Sequence, residues 1–260
     1  MSMKIALIIC CFLIAFGSSA QTPKAIEGDL LKSFKRIDYC IEKRYTDTSF
    51  NWVTNLFQAN KDFGNKLKSY TEKVPLTITF PFISLKKEMN ISTSNDGLFR
   101  IYSWDTQTGG TMHFFENVFQ YKVGANTLSI LDTPKTDVDA RPNYYKISIF
   151  KANNKTYYLA VYLSIGSTKD VADGVRVFTI ENGKLIDAKL IKTDSGLHSE
   201  LSYWYNFFSV VNIAFEKRPT IRFDRATNII RLPLIDNSGN MTNKHILYKF
   251  TGQYFERVEN

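Results

Sequence analysis

The period of the apolar residues changes at Pro75, and this change constrains the fold more than any other feature of the chain. Before it, Leu30, Leu31, Phe34, Ile37, Ile41 and Tyr45 recur at near-helical spacing. Trp52, Val53, Leu56, Phe57, Phe63, Leu67 and Tyr70 form a second such stretch, weakened by Gly64. After Pro75 the run Leu76, Thr77, Ile78, Thr79 and Phe80 is rich in strand formers, and period-2 stretches bounded by Asp, Asn and Gly dominate to the end. The expected fold is mainly β, with antiparallel sheets arranged as a sandwich or propeller-like. It follows an N-terminal helical segment at 21–74, and the antiparallel β domain occupies 75–260.

Turn chemistry places the hairpins. Stretches 98–104 and 111–121 flank a polar segment, 105–110, whose Gly109 and Gly110 permit positive φ. Stretches 144–150 and 156–163 flank a second reversal, and Asn182-Gly183 joins 175–180 to 185–191. Asn182-Gly183 is the strongest turn signal, because both residues tolerate the left-handed conformation that a tight hairpin needs. Further strands are expected at 202–211, 220–223, 229–235 and 244–250, with Ser238-Gly239-Asn240 reversing the last pair and Tyr254 and Phe255 closing an edge. Hairpins recur about every 40 to 50 residues, a spacing that also suits propeller blades.

The N-terminus reads as a secretory signal peptide over residues 1–20: Lys4, an apolar run from Ile5 to Phe16, then Gly17, Ser18, Ser19 and Ala20. The apolar run is too short to span a bilayer core of roughly 30 Å, so no transmembrane anchor is expected after cleavage before Gln21. Cys10 and Cys11 lie inside that run rather than at its end, which argues against lipidation. Beyond the leader only Cys40 is left, so no internal disulfide can form, and its apolar helical setting suits a buried thiol. The 33 basic and 25 acidic residues give a formal charge of +8, dispersed in isolated pairs such as Lys43-Arg44 and Lys86-Lys87. A nucleic-acid partner is not expected, since its binders concentrate basic residues on a stripe. The dispersed excess allows at most a weak attraction to anionic envelope surfaces.

Catalytic constellations are few. Ser195 and His198 are three residues apart, but no Gly-x-Ser-x-Gly elbow surrounds the serine. Glu200 with Asp224, or Asp105 with Glu116, offers the carboxylate pair that glycoside hydrolysis requires at a separation of about 5 to 9 Å. The histidines His113, His198 and His245 carry no His-Glu-x-x-His motif, so no metal site is assigned. Asp170 with Asp173, and Asp132, Asp137 and Asp139 around Pro134, match no calcium loop. No cofactor motif is present.

Aromatic content is more suggestive: 14 Tyr, 20 Phe and 3 Trp exceed what a small core needs. On the strand from Leu98, alternation puts Arg100, Tyr102 and Trp104 on one face and Phe99 and Ile101 on the other. If the second face packs inward, Tyr102, Trp104, Asp105 and Gln107 form the rim of a shallow ligand site, with Trp104 as the stacking surface. The same pattern also fits a strand buried on both faces.

The stretch Asp96-Gly97-Leu98-Phe99-Arg100-Ile101-Tyr102-Ser103-Trp104-Asp105, continuing to Met112, resembles a segment of uncharacterised secreted proteins of Bacteroidetes-type bacteria. The terminal Tyr248-Lys249-Phe250-Thr251-Gly252-Gln253-Tyr254-Phe255 is similar to the same kind of protein. The resemblance implies an envelope location, whether periplasmic, outer-envelope associated or extracellular, and no catalytic residues. The expected function is noncatalytic binding of a glycan, a peptide or an envelope protein. The alternative is an extracytoplasmic hydrolase acting on glycans or peptides.

Overall fold

The computed structural model describes residues 21–132 and 140–258. The expected leader at 1–20, and Asp137 and Asp139 of the acidic cluster, lie outside them.

Two helices come first, α1 (Pro23–Thr46) and α2 (Trp52–Lys73). Thr22 caps α1 by accepting from the Ala25 N–H, and Asn51 caps α2 through the Thr54 N–H, satisfying donors that the first helical turn leaves free. Helix α2 stops just before Pro75, whose ring disfavours helical geometry in the residue preceding it. The strand expected at 76–80 does not form; Pro75–Ile78 is a 3₁₀ turn. A polar network overrides β-propensity there. Arg100 Nη1 donates to the carbonyls of Thr77 and Phe80, and Gln120 Nε2 donates to Thr77 Oγ1.

The first sheet is a four-stranded antiparallel meander of β1 (Asn90–Thr93), β2 (Phe99–Asp105), β3 (Phe115–Val123) and β4 (Asn126–Asp132). Next come β5 (Asn143–Ala152), β6 (Lys155–Ile165), β7 (Asp170–Glu181) and the short β8 (Lys184–Asp187) of the second sheet. The chain then crosses to a third sheet with β9 (Ile191–Thr193) and β10 (Gly196–His198), and returns as β11 (Glu200–Asn206) to pair with β7. Strands β12 (Arg222–Asp224), β13 (Ile229–Ile235), β14 (Met241–Phe250) and β15 (Phe255–Val258) complete the third sheet in the order β10-β9-β15-β14-β13-β12. Among the described residues, pairing is antiparallel except for the short β15–β9 contact. Phe255 therefore does not close an edge. It is fully buried on an interior strand, held between β14 and β9.

Four layers stack: helices, first sheet, second sheet, third sheet. Ile26, Leu30, Phe34, Leu56, Phe63 and Leu67 pack on Tyr102, Trp104 and Val118, the outer face of the first sheet. Phe99, Ile101 and Phe119 on its inner face meet Tyr144, Tyr158, Tyr162 and Phe178 of the second sheet. The alternate residues of the second sheet, Phe150, Leu159, Val161, Val175 and Val177, meet Ile191, Ile230, Leu232 and Phe255 of the third. The arrangement is sandwich-like and, among the described residues, the sheets do not close on themselves. The helical segment forms the layer that covers the outer face of the first sheet. Cys40 is buried in its core, where desolvation raises the pKa of the thiol.

Candidate functional site

The alternation of β2 continues into the 105–110 loop, but the expected stacking rim does not form. Tyr102 and Trp104 are buried, 0% and 1% exposed, because the helices cover the face to which they belong. Trp104 Nε1 donates to Asn60 Oδ1, and Asn60 Nδ2 donates to the Leu56 and Thr106 carbonyls. The indole thus anchors the loop to α2 rather than presenting a platform. Gly109 and Gly110 do not supply positive φ either; Gln107 does, at 56°. Gly109 is needed for close approach, since a Cβ there would lie 1.9 Å from the Met112 carbonyl oxygen. The Asn182-Gly183 turn forms as expected, both residues at positive φ between Glu181 and Lys184.

Asp105 and Gln107 do line a cleft. Asp105 Oδ1 accepts from the Gln107 N–H at 2.8 Å, closing a tight polar turn, while Oδ2 lies 2.6 Å from His113 Nδ1. His113 is itself fixed by its backbone N–H to the Ile165 carbonyl. Across the gap, Gln107 Nε2 donates to Asp38 Oδ1 at 3.1 Å. The resulting cleft of about 410 Å³ is walled by Asp38 and Arg44 of α1, by Lys87 and Glu88, and by Asp105, Gln107 and His113. Arg44 is held in place with its guanidinium 4.4 Å from the Trp52 ring centroid. The wall therefore offers carboxylate acceptors, cationic donors, an amide and an imidazole within one concavity. With Nδ1 directed at Asp105, the second imidazole nitrogen has no partner among the described residues and can bond a ligand hydroxyl or water. Among the described residues, no Ser, Thr or Cys lines the cleft.

The other constellations do not assemble. Ser195 Oγ and His198 Nε2 are 2.9 Å apart, but on an exposed hairpin where, among the described residues, no carboxylate orients the histidine. Glu200 accepts from the Tyr162 hydroxyl on the second sheet, whereas Asp224 caps a turn of the third through the Ala226 N–H. Asp105 faces Phe115 across the β2–β3 ladder and Glu116 faces Trp104, so the two carboxylates point to opposite sides of the sheet. Among the described residues no three His, Cys, Asp or Glu side chains are grouped to hold a metal ion.

Glu116 lies instead in a second cleft of about 550 Å³ on the far side of the loop. There Thr106 and Thr108 face α2, whereas Asp105 and Gln107 face α1. Among the helical residues that line the two clefts, Asp38 and Arg44 gave no sign of a site in the sequence, and Phe57 read only as part of an apolar helical stretch. They are 48 to 67 residues before the loop's Asp105, and the structure leaves all three exposed on their helices.

Fold and site together define a layered β protein with a helical cover and polar clefts at the cover's edge. No protein-family model matches the sequence, and no curated protein matches it. Among solved structures, Trypanosoma rangeli sialidase in complex with the inhibitor DANA is similar at 11% identity and a TM-score of 0.30. The alignment covers 66% of this chain and 30% of that one.

Proposed function

We propose that this chain is an exported, noncatalytic binding protein that takes a glycan or an extended peptide into the cleft between α1 and the 105–110 loop. One observation carries the reading: Asp38, Gln107, Asp105 and His113 converge on one concavity through side-chain hydrogen bonds that preset their positions. Preset polar groups lower the ordering cost of recognition. Ligands rich in hydroxyl or amide groups match this wall, because each donor and acceptor on it can be answered. A glycan array and a peptide library, each read with the parent and with Gln107→Ala, test the proposal. The variant is expected to keep its melting temperature and to bind about tenfold more weakly, the effect of losing one or two hydrogen bonds. A parent that retains nothing in either screen, or a variant that binds identically, overturns it. Export is checked separately by intact mass, with a mature chain beginning at Gln21.

A hydrolase acting on glycans or peptides is the second reading, favoured by the Asp105–His113 pair alone. A carboxylate on Nδ1 orients an imidazole as a general base toward water. Product release from oligosaccharides or peptides that disappears in His113→Asn would select this reading over simple binding.

A further inference from the structure

The second cleft has chemistry of its own, which does not depend on the function proposed for the first. Phe57 forms its outer wall and is 59% exposed, with Val53 beside it at 44%. An aromatic ring left in water next to a cavity is a surface that a ligand's apolar face can cover. Arg141 lines the cleft too, two residues before β5, and the neighbouring Pro142 carbonyl is tied to Asn117 Nδ2 at 3.1 Å.

The guanidinium of Arg141 is poorly answered. Its Nε–H is buried and, among the described residues, has no acceptor. Its Nη1 is 3.7 Å from Glu116 Oε1, which is an ion pair but beyond good hydrogen-bond range. The Arg141 side chain is nevertheless one-fifth exposed, and the terminal nitrogens of a planar guanidinium are well satisfied by a carboxylate that takes two parallel bonds. Lys61 lines the same cleft and adds positive charge. Glu116 is the carboxylate that already faces Arg141; burial raises its pKa, against the opposing pull of the Arg141 charge.

We propose that this cleft, between Phe57 of α2 and Arg141, binds a ligand that carries a carboxylate beside an apolar ring face. The carboxylate is received by Arg141 and the ring lies on Phe57 and Val53, with Thr108, whose hydroxyl is paired with that of buried Thr106, at its edge. Two sources supply that chemistry, a carboxylated sugar and an aromatic acid.

Saturation-transfer NMR and calorimetry on the whole protein, with D-glucuronate, benzoate and D-glucose as probes, test the assignment. At least one of the two acids is expected to bind about tenfold or more tightly than glucose. Glucuronate alone marks the sugar source, and benzoate alone marks the aromatic one. Arg141→Gln should abolish the preference for acid over neutral probe. Glu116→Gln should strengthen acid binding several-fold by removing the competing carboxylate, a gain that a merely structural role for Glu116 would not produce. Phe57→Ala, at an exposed site, should weaken the acids without lowering the melting temperature. Equal binding of all three probes, no binding of either acid at about 10 mM, or an acid preference that survives in Arg141→Gln, overturns the proposal.

Discussion

Trp104 lies edge-on against Phe63 with ring centroids 5.0 Å apart, and its indole N–H reaches Asn60 Oδ1 at 3.1 Å. Removing the ring leaves both a cavity and an orphaned Asn60 oxygen. Trp104→Ala is therefore expected to cost about 3 to 5 kcal/mol of stability, measured by denaturant unfolding. Asp173 is a different kind of buried residue. It is fully buried on β7; Tyr203 donates to Oδ2 at 3.0 Å, and Oδ1 has no partner among the described residues. Burial pushes its pKa from 3.8 up to about 7, against the opposing pull of Tyr203 and Arg218. A carboxyl whose folded pKa is raised gives its full stability below the ordinary value and loses it as pH climbs through the folded one. The protein should lose stability between about pH 4 and pH 7 for this reason, by at most about 4 kcal/mol. Asp173→Asn should flatten that part of the profile, leaving the variant more stable than the parent at pH 8. Matching slopes for the two proteins would assign the pH dependence elsewhere.

Among the elements, β7 shows how a strand is shaped by its neighbour. Gly174 pairs with Tyr162 of β6, and a Cβ on Gly174 would lie 2.1 Å from the tyrosine Cζ. The Tyr162 ring lies across the glycine, and its hydroxyl is held by Glu200 of β11. Gly174→Ala must displace that ring and break the hydroxyl's bond, so a loss of about 1 to 3 kcal/mol is expected from thermal unfolding. The same substitution combined with Tyr162→Ala should cost less than the two singly added, since the clash is then gone. The hairpin that ends β7 was legible without any of this, because Asn182 and Gly183 encode their own conformation. Leu76 to Phe80 misled for the opposite reason: Thr77, Ile78 and Thr79 are β-branched and favour a strand, but Arg100, distant in the chain, takes up the Thr77 and Phe80 carbonyls that a strand ladder would have used.

In the whole molecule, the helical cover is what turns the first sheet into an interior layer. Deleting residues 21–74 would bare Tyr102, Trp104 and Val118 together and should give a chain that binds a hydrophobic dye and aggregates. A monomeric, dye-silent truncation would show that the cover is dispensable. The features determined by the sequence itself were those written within a few residues: helical against alternating period, the end of the helices before Pro75, the Asn182-Gly183 turn, and the buried helical setting of Cys40. Only the tertiary structure decided which strand faces meet water. A β-strand's alternation names two faces but not what lies over each, so Trp104 read equally well as rim or core until the helices settled on it. The clefts belong to the same category. Asp105 and Gln107 signalled a polar loop, but Asp38, Arg44, Phe57 and Arg141 acquire their roles through contacts between segments far apart in the chain, which no local pattern encodes.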